Sequence, residues 1–367
     1  MPPAIYLSLG PSGAGKDTLL MAAQKLLASH KNVVFVKRHI TRDPSKITDL
    51  EIAVTSTEFD EFHKAGEYAL NWQAHDTKYA IRHAELNTEL AAGKRCVLNV
   101  SRTQIPIVLE RYSERCEVYV LNITATPETL RARLQDRGRE SAESVEQRLA
   151  RALQDVPTGE FVITVLNEGT IEAGAERVAR ALAGTLKYTL WLVPAADGAL
   201  SKWACASIEK LTASVGLRPF PPHVTLCPSY EGTQRDAVAK ARAAAAALAP
   251  TPIALQPTHI THSSSSKRAV AMELERKPTL MAASAAATGS IFPDEHPSRT
   301  ASFEPHLSLC YGEYAEAKRE ALLAEVANWA QAIGEQSECA GRLELMCTTG
   351  SDYTCWVPVQ LDLPLST

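Results

Sequence analysis

Residues 10–17 read Gly-Pro-Ser-Gly-Ala-Gly-Lys-Asp, and no other stretch of the chain limits its fold so tightly. An apolar run, Ile5–Leu9, precedes them, and helical periodicity follows over residues 17–28. Strand, glycine-rich turn and helix in that order make a phosphate cradle. Gly10, Gly13 and Gly15 let successive backbone N–H groups turn inward around a phosphate, with Ser12 and Ala14 between them, and the helix start adds partial positive charge. Lys16 then reaches the outer phosphates as a point charge. The departure is Asp17, where a Ser or Thr hydroxyl usually faces magnesium. A carboxylate is a competent hard-oxygen ligand and Thr18 offers the hydroxyl, so Asp17 and Thr18 are the candidate metal ligands.

The rest of the first half alternates strands with helices. Strands are expected at Val33–Lys37, Val97–Val100, Val118–Ile123 and Phe161–Leu166, and helices at Pro127–Asp136, 143–155 and 171–183. That alternation predicts an α/β domain, a parallel sheet with helices on both faces. The pattern changes near Gly184. Strands are expected at Tyr188–Val193, His223–Cys227, Ala269–Leu274 and His306–Tyr311, with two more around 341–347 and 355–361. Helices are expected over 200–216, 235–249, within 278–289, and as one long segment over 314–333. Ser263–Ser266 and 290–302 read as surface loops. Paired strands outnumber helices here and predict an α+β domain with an antiparallel sheet. At 367 residues the chain suits two domains, 1–184 and 185–367.

Two short matches carry the chemistry of the second half: His223-Val224-Thr225-Leu226 and His306-Leu307-Ser308-Leu309. Each follows a proline, Pro222 or Pro305. In a strand, residues i and i+2 face one side, so each match presents an imidazole and a hydroxyl together. Two such strands side by side would surround one pocket with two histidines and two hydroxyls. That set cleaves a cyclic phosphate with no cofactor: one imidazole takes a proton from water, the other gives one to the leaving sugar oxygen. Thr225 and Ser308 would hold the non-bridging oxygens. A zinc site would need a third close ligand; His259 and His262 are the candidates, but the hydroxyl spacing argues against it. His259-Ile260-Thr261 also mimics the tripeptide, without the preceding proline.

Composition sets outer bounds. A formal net charge of −4 gives no case for a broad nucleic-acid footprint. The 8 cysteines are scattered, with no Cys-x-x-Cys pair, which reads as reduced thiols and a cytoplasmic location. The N-terminus lacks a basic region and a long apolar stretch, so neither a signal peptide nor a membrane span is expected there. Nothing in the sequence speaks to oligomeric state.

The first half carries Gly10–Thr18, then Arg38-His39-Ile40-Thr41-Arg42, a stretch from Trp72 to Tyr79, Asn99-Val100-Ser101-Arg102, and Arg133-Leu134-Gln135-Asp136-Arg137-Gly138-Arg139-Glu140. With these it resembles the guanylate-kinase-like ribose 1,5-bisphosphate phosphokinases of bacterial phosphonate breakdown, over roughly residues 3–183. The resemblance implies ATP and Mg2+ as cofactors. It places Arg133 and Arg137 on a lid over the transferring phosphoryl group, and Arg38, Arg42, Tyr79, Ser101 and Arg102 on the acceptor phosphate. Glu51 stands where guanylate kinases place a nucleotide-reading Tyr, and Asn99 and Ser101 replace an acidic pair. Both departures fit an acceptor with phosphates and no base.

The second half, over about 187–363, resembles the 2H phosphoesterase superfamily through Trp191–Pro194, Phe220–Leu226 and Phe303–Gly312. It is most similar to the cyclic phosphodiesterases that open ADP-ribose 1″,2″-cyclic phosphate. That resemblance implies a two-lobed fold around a cleft, with Tyr311 or Trp191 as candidate wall residues. Together the two resemblances imply a bifunctional enzyme with phosphorylated ribose substrates: a cyclic phosphate of 5-phosphoribose opened to ribose 1,5-bisphosphate, then phosphorylated to 5-phosphoribosyl 1-diphosphate. Two alternatives stay open. One is an RNA-end or tRNA-splicing enzyme pairing a nucleotide kinase with a cyclic phosphodiesterase; the other has one half degenerate and serving as a binding module.

Overall fold

The computed structural model describes the chain except for residues 1, 75, 137–145, 147–148, 151–156, 249–251, 295, 335–336, 351, 362, 364–367 and the side chains of 296–298. The chain divides into two compact units, Met1–Leu186 with Thr349–Ser351, and Lys187–Thr348 with Asp352–Thr367.

The strands of the first unit are β1 (Ala4–Leu9), β2 (Val33–Val36), β3 (Arg38–Ile40), β4 (Glu51–Ala53), β5 (Tyr68–Ala74), β6 (Thr77–Arg82), β7 (Arg95–Asn99), β8 (Glu117–Thr124) and β9 (Val162–Leu166). One sheet has the order β2-β7-β1-β8-β9 and is parallel throughout. Every residue of β1 is buried, as a parallel strand covered on both faces requires. Because the strands share one direction, the turn after β1, the end of β7 at Asn99 and the turns after β8 and β9 meet at a single edge. That carboxyl edge is where open α/β sheets bind ligands.

Helices Lys16–Leu26 and Pro127–Asp136 leave that edge, and helix Ile171–Ala183 follows β9. The last is capped at its start by Thr170 and closed by Gly184 at φ 72°. A second sheet, β4-β3-β6-β5, was not expected from the sequence. Two of its strands have only three residues, and β5 mixes buried and exposed positions, too short and too varied for a periodicity reading. The helix expected over 143–155 falls largely outside the described residues.

The second unit holds β10 (Leu186–Pro194, its first residue in the first unit), β11 (Val224–Thr225), β12 (Tyr230–Gly232), β13 (Ala254–Leu255), β14 (Pro257–His262), β15 (Val270–Leu274), β16 (His306–Cys310), β17 (Glu338–Cys347) and β18 (Val357–Pro358). They form one sheet along the path β13-β17-β10-β11-β16-β15-β14, antiparallel at each junction. Helices Ala199–Ser214, Gln234–Leu248 and Pro278–Ile291 cover it with their buried faces.

Four expectations need correction. The strand at His223–Cys227 shrinks to Val224–Thr225, because β11 pairs with β16 through Val224 and Leu307 and with β10 only at Trp191 and Leu192. The single helix over 314–333 is two, Glu316–Ala324 and Trp329–Ile333, separated by a turn that buries Val326. The loop at 290–302 contains a short helix, His296–Ala301. The final strand is the brief β18. No helix among the described residues is long and apolar enough to cross a membrane.

Two candidate active sites

In the first unit the phosphate cradle is held by its own backbone. A Cβ at Gly10 would collide with the Ile123 carbonyl oxygen, so the turn lies flush against the end of β8. Gly13 and Gly15 take φ values of 90° and 76°, the left-handed region that other residues avoid. Gly15 starts the helix that Lys16 opens, and the carbonyl of Ala14 accepts from Asn167 Nδ2 at 2.7 Å. Asn167 in turn offers its carbonyl to Arg133 at 2.9 Å. These residues fit a nucleotide's phosphates: left-handed glycines before a helix start, and no room for a side chain at Gly10 or Gly15.

Lys16 Nζ donates to Asp17 Oδ1 at 2.6 Å and to the Asn99 side-chain oxygen, while Asn99 Nδ2 donates to the same Asp17 oxygen at 2.8 Å. Burial pulls the Lys16 pKa down, and Asp17 opposes that pull. Burial alone would raise Asp17, but the Lys16 charge beside it holds its carboxyl below the ordinary range. Thr18 is exposed at the first turn of the helix. Asp17 and Thr18 are therefore both available near the cradle as hard-oxygen ligands.

Beside this triangle lies a cationic cluster organised by Glu51. Glu51 is buried, and its Oε1 accepts from Arg38 Nε at 3.1 Å and Arg38 Nη2 at 2.5 Å; Arg42 Nη1 stands 4.0 Å away. Its other oxygen takes the Thr48 amide at 3.0 Å. Arg38 also reaches the Asn99 carbonyl at 3.4 Å and lies over the Tyr79 ring, 5.1 Å from its centre. Tyr79 stacks on Trp72 at 5.4 Å, and its hydroxyl meets Arg42 Nη2 at 3.3 Å. Arg38, Arg42 and Tyr79 thus come together as the sequence suggested. Ser101 and Arg102 follow Asn99 at the start of a short 3-10 turn, Arg102–Gln104, where Ser101 Oγ accepts from Thr103 at 3.1 Å. Arg133 points back to the backbone below the cradle, and Arg137 lies outside the described residues. Sequence reasoning noted Glu51 only as a missing Tyr; its role as the buried clamp of two arginines carried no local signal.

In the second unit a cavity of about 380 Å³ opens over the middle strands. Its walls include Thr225, His306 and Ser308, with Trp191, Tyr311 and Trp356. The pairing of Val224 with Leu307 sets Thr225 level with His306 and His223 level with Ser308. His223 lies deeper than expected, 3% exposed, stacked on Trp191 at 3.4 Å between ring centres. Both rings are fixed alike: His223 Nδ1 meets the carbonyl of Pro221 at 2.7 Å, and His306 Nδ1 that of Glu304 at 2.9 Å. Each carbonyl belongs to the residue two before the histidine, and each claims the Nδ1 proton. Both Nε2 atoms are thereby left as acceptors in the neutral ring. Tyr311 Oη donates to His223 Nε2 at 3.2 Å. Burial pushes His223 down to about 4 and raises the Tyr311 phenol, so this hydrogen bond joins two neutral groups.

Burial also lowers His306, with Arg268 adding to it, while the Glu304 carbonyl and the Glu273 and Glu304 carboxylates pull the other way. Glu273 pairs with His306 across the β15–β16 ladder. Arg268 bridges Glu273 at 2.5 Å and Glu304 at 3.0 Å. The loop Ser263–Lys267, read from sequence as plain surface, supplies Ser263, Ser265 and Lys267 to the cavity wall. Its serines carry no periodicity and its one motif is composition, so only the fold could place it. His259 is exposed on the edge strand β14, outside the cavity wall. Among the described residues no cluster of His, Cys, Asp or Glu could hold a metal.

Comparison with known proteins agrees with this division. The guanylate kinase family matches residues 3–185, and the 2'-5' RNA ligase superfamily matches residues 193–335. The ribose 1,5-bisphosphate phosphokinase PhnN of Bradyrhizobium diazoefficiens is 37% identical over 181 residues, 49% of this chain and 88% of its own. A bifunctional ribose 1,5-bisphosphokinase-thymidine phosphorylase of Azorhizobium caulinodans is 36% identical over 177 residues, 48% of this chain and 25% of its own. Among solved structures, Usb1 of Kluyveromyces marxianus with uridine monophosphate aligns to 49% of this chain and 99% of that one at 9% identity, with a TM-score of 0.29, too low to bear on mechanism. Guanylate kinase family membership implies ATP and magnesium for the first half. The chain belongs to the guanylate kinase family through an N-terminal domain of the PhnN kind, and carries behind it a 2'-5' RNA ligase (2H phosphoesterase) superfamily domain.

Proposed function

We propose that the chain is a bifunctional enzyme that hydrolyses 5-phosphoribosyl 1,2-cyclic phosphate to ribose 1,5-bisphosphate and phosphorylates that product with ATP to 5-phosphoribosyl 1-diphosphate. The supporting observation is the pairing in one chain of a PhnN-like half with a cavity lined by His306 and by Trp191 and Tyr311, against which the second Nδ1-anchored histidine, His223, is buried. The ester that the second half would open yields the acceptor that the first half would use.

In the phosphodiesterase step, His223 is the base and His306 the acid. His223 is buried and neutral, and its Nε2 accepts from the hydroxyl of Tyr311, the cavity-wall residue through which the proton would reach it. It takes a proton from water, whose oxygen attacks phosphorus. The bond from phosphorus to O2 of the ribose breaks, and His306 gives its Nε2 proton to that oxygen. The Glu273 and Glu304 carboxylates offset part of the lowering that burial and Arg268 impose on His306, so the ring carries the proton that the acid needs only below the ordinary histidine range. Thr225 steadies the non-bridging oxygens, and Ser308 joins it when its hydroxyl turns from the Lys267 carbonyl to which it donates.

In the kinase step Lys16 and the amides of residues 10–16 hold the nucleotide phosphates, and Asp17 with Thr18 would hold magnesium, which neutralises phosphate charge when bound. Arg38 and Arg42, presented by Glu51 and flanked by Tyr79, orient the acceptor phosphate. A phosphate oxygen of ribose 1,5-bisphosphate attacks the γ-phosphorus and ADP leaves. A buried carboxylate in place of a base-reading tyrosine supports a sugar acceptor.

Substrate panels test both steps. ATP consumption is expected with ribose 1,5-bisphosphate and at most traces with GMP. Among cyclic phosphates, 5-phosphoribosyl 1,2-cyclic phosphate should outrun nucleoside 2′,3′-cyclic phosphates. A preference for GMP, or for the nucleoside esters, would refute the corresponding half of the proposal.

A further inference from the structure

The phosphodiesterase cavity carries more positive and hydroxyl character than one cyclic phosphate requires. Thr225 and Ser308 answer for the reacting group. Ser229, Ser263, Ser265 and Lys267 also line the wall, and no Asp or Glu does. Arg268 is committed to Glu273 and Glu304. Lys267 is not: its ammonium lies over the Trp356 ring, 5.3 Å from the centre, and among the described residues no carboxylate is paired with it. Lys267 is an exposed lysine on a wall that carries no Asp or Glu, and such a charge attracts an anion.

The segment that carries Lys267 is also rigidly tied to the reacting centre. Ser308 Oγ donates to the Lys267 carbonyl at 2.9 Å, and the Gly312 amide donates to that of Ser266 at 2.7 Å. Ser263 Oγ donates to the Arg268 carbonyl at 2.8 Å and accepts from the Ser265 amide at 3.2 Å. The strand holding His306 and Ser308 therefore sets the backbone of Lys267, and the Trp356 ring lies under its ammonium, which puts the charge at a defined side of the reacting centre.

From this we infer that Lys267, with the Ser265 hydroxyl, forms a subsite for a second phosphate of the substrate, separate from the phosphate being opened; Ser263, whose hydroxyl proton goes to the Arg268 carbonyl, shapes the loop that carries them. The inference rests on the phosphodiesterase reading above and names the residues that select its substrate: a cyclic phosphodiester that bears a second phosphate, as a monoester, on the same sugar. The subsite selects for that group and takes no part in proton transfer.

The test uses two pairs of substrates with the full chain: ribose 1,2-cyclic phosphate with and without a 5-phosphate, and a nucleoside 2′,3′-cyclic phosphate with and without a 5′-phosphate. Wild type should favour the phosphorylated member of whichever pair it opens, by roughly 10–100-fold in kcat/KM, mostly through KM. Lys267→Ala should erase that preference while leaving the unphosphorylated member unchanged, which also reports an intact site. Lys267→Arg should keep most of it. Equal rates on both members in wild type, or an equal loss on both in Lys267→Ala, would overturn the subsite. If only the nucleoside pair is opened, the ribose reading fails and the subsite is still judged on that pair. If neither pair is opened, both readings fall.

Discussion

The two halves solve one problem, handling phosphate charge, in opposite ways. In the first unit the cations are held by protein partners before any ligand arrives: Lys16 by Asp17 and Asn99, Arg38 by Glu51, Arg133 by the Asn167 carbonyl. The second unit keeps acids off its cavity wall, which presents hydroxyls and His306, with His223 buried against Trp191 and both Nδ1 atoms tied to backbone carbonyls. The difference follows from the chemistry. A kinase must position several phosphates that stay charged throughout, so fixed cations suit it. A phosphodiesterase without a metal must move two protons, so it needs rings whose charge can change.

Crossed substitutions break that comparison most severely. Lys16→Ala should cost the kinase step about 10²–10³-fold or more and leave cyclic-ester cleavage untouched. His223→Ala and His306→Ala should each cost cleavage about 10²–10⁴-fold and leave the kinase step untouched. Rate assays on each half-reaction separately decide this; a loss that crosses from one half to the other contradicts two independent centres.

Next in size is the clamp. Glu51→Ala strands Arg38, whose side chain is 12% exposed, without its carboxylate partner, and should destabilise the first unit by about 3–5 kcal/mol. Denaturant titration read by kinase activity should show the loss, with KM for the acceptor raised. A variant with unchanged stability and acceptor KM would mean that Glu51 does not organise the arginines.

A smaller effect sharpens the proton-transfer side. His223 is depressed to about 4, so as base it is competent above that pH and lost below it. His306 is lowered from the ordinary histidine value, so as acid it loses its proton as pH rises through a value below the usual histidine range. The cleavage kcat/KM should therefore rise through about pH 4 and fall before pH 6.5, while the kinase step, with fixed charges, should not share that acidic optimum. A cleavage profile flat to pH 8 would contradict the assignment.

How legible each site was in the sequence follows from how each is assembled. The cradle from Gly10 to Lys16 is contiguous, its glycines are demanded by backbone geometry, and its flanking strand and helix appear where periodicity put them. The acceptor cluster draws on β3, β4, β6 and the end of β7, and its organiser, Glu51, is one carboxylate on a three-residue strand. In the second half the two tripeptides could be read because strand alternation ties imidazole to hydroxyl. The depth of His223 could not, since it depends on Trp191 and Tyr311 packing around it from other strands. Nor could the Ser263–Lys267 wall, because a serine run has no pattern that distinguishes a solvent loop from a pocket rim.

The central claim is that one half makes the substrate of the other. Phosphorus-31 NMR of the full chain with 5-phosphoribosyl 1,2-cyclic phosphate, ATP and magnesium tests it most directly. The cyclic resonance should disappear as the coupled resonances of a sugar diphosphate grow, with ADP in equal amount. Lys16→Ala should stop at ribose 1,5-bisphosphate, and His223→Ala should leave the cyclic ester intact. A cyclic ester that survives wild-type enzyme, or a bisphosphate that accumulates with ATP unspent, would contradict the account.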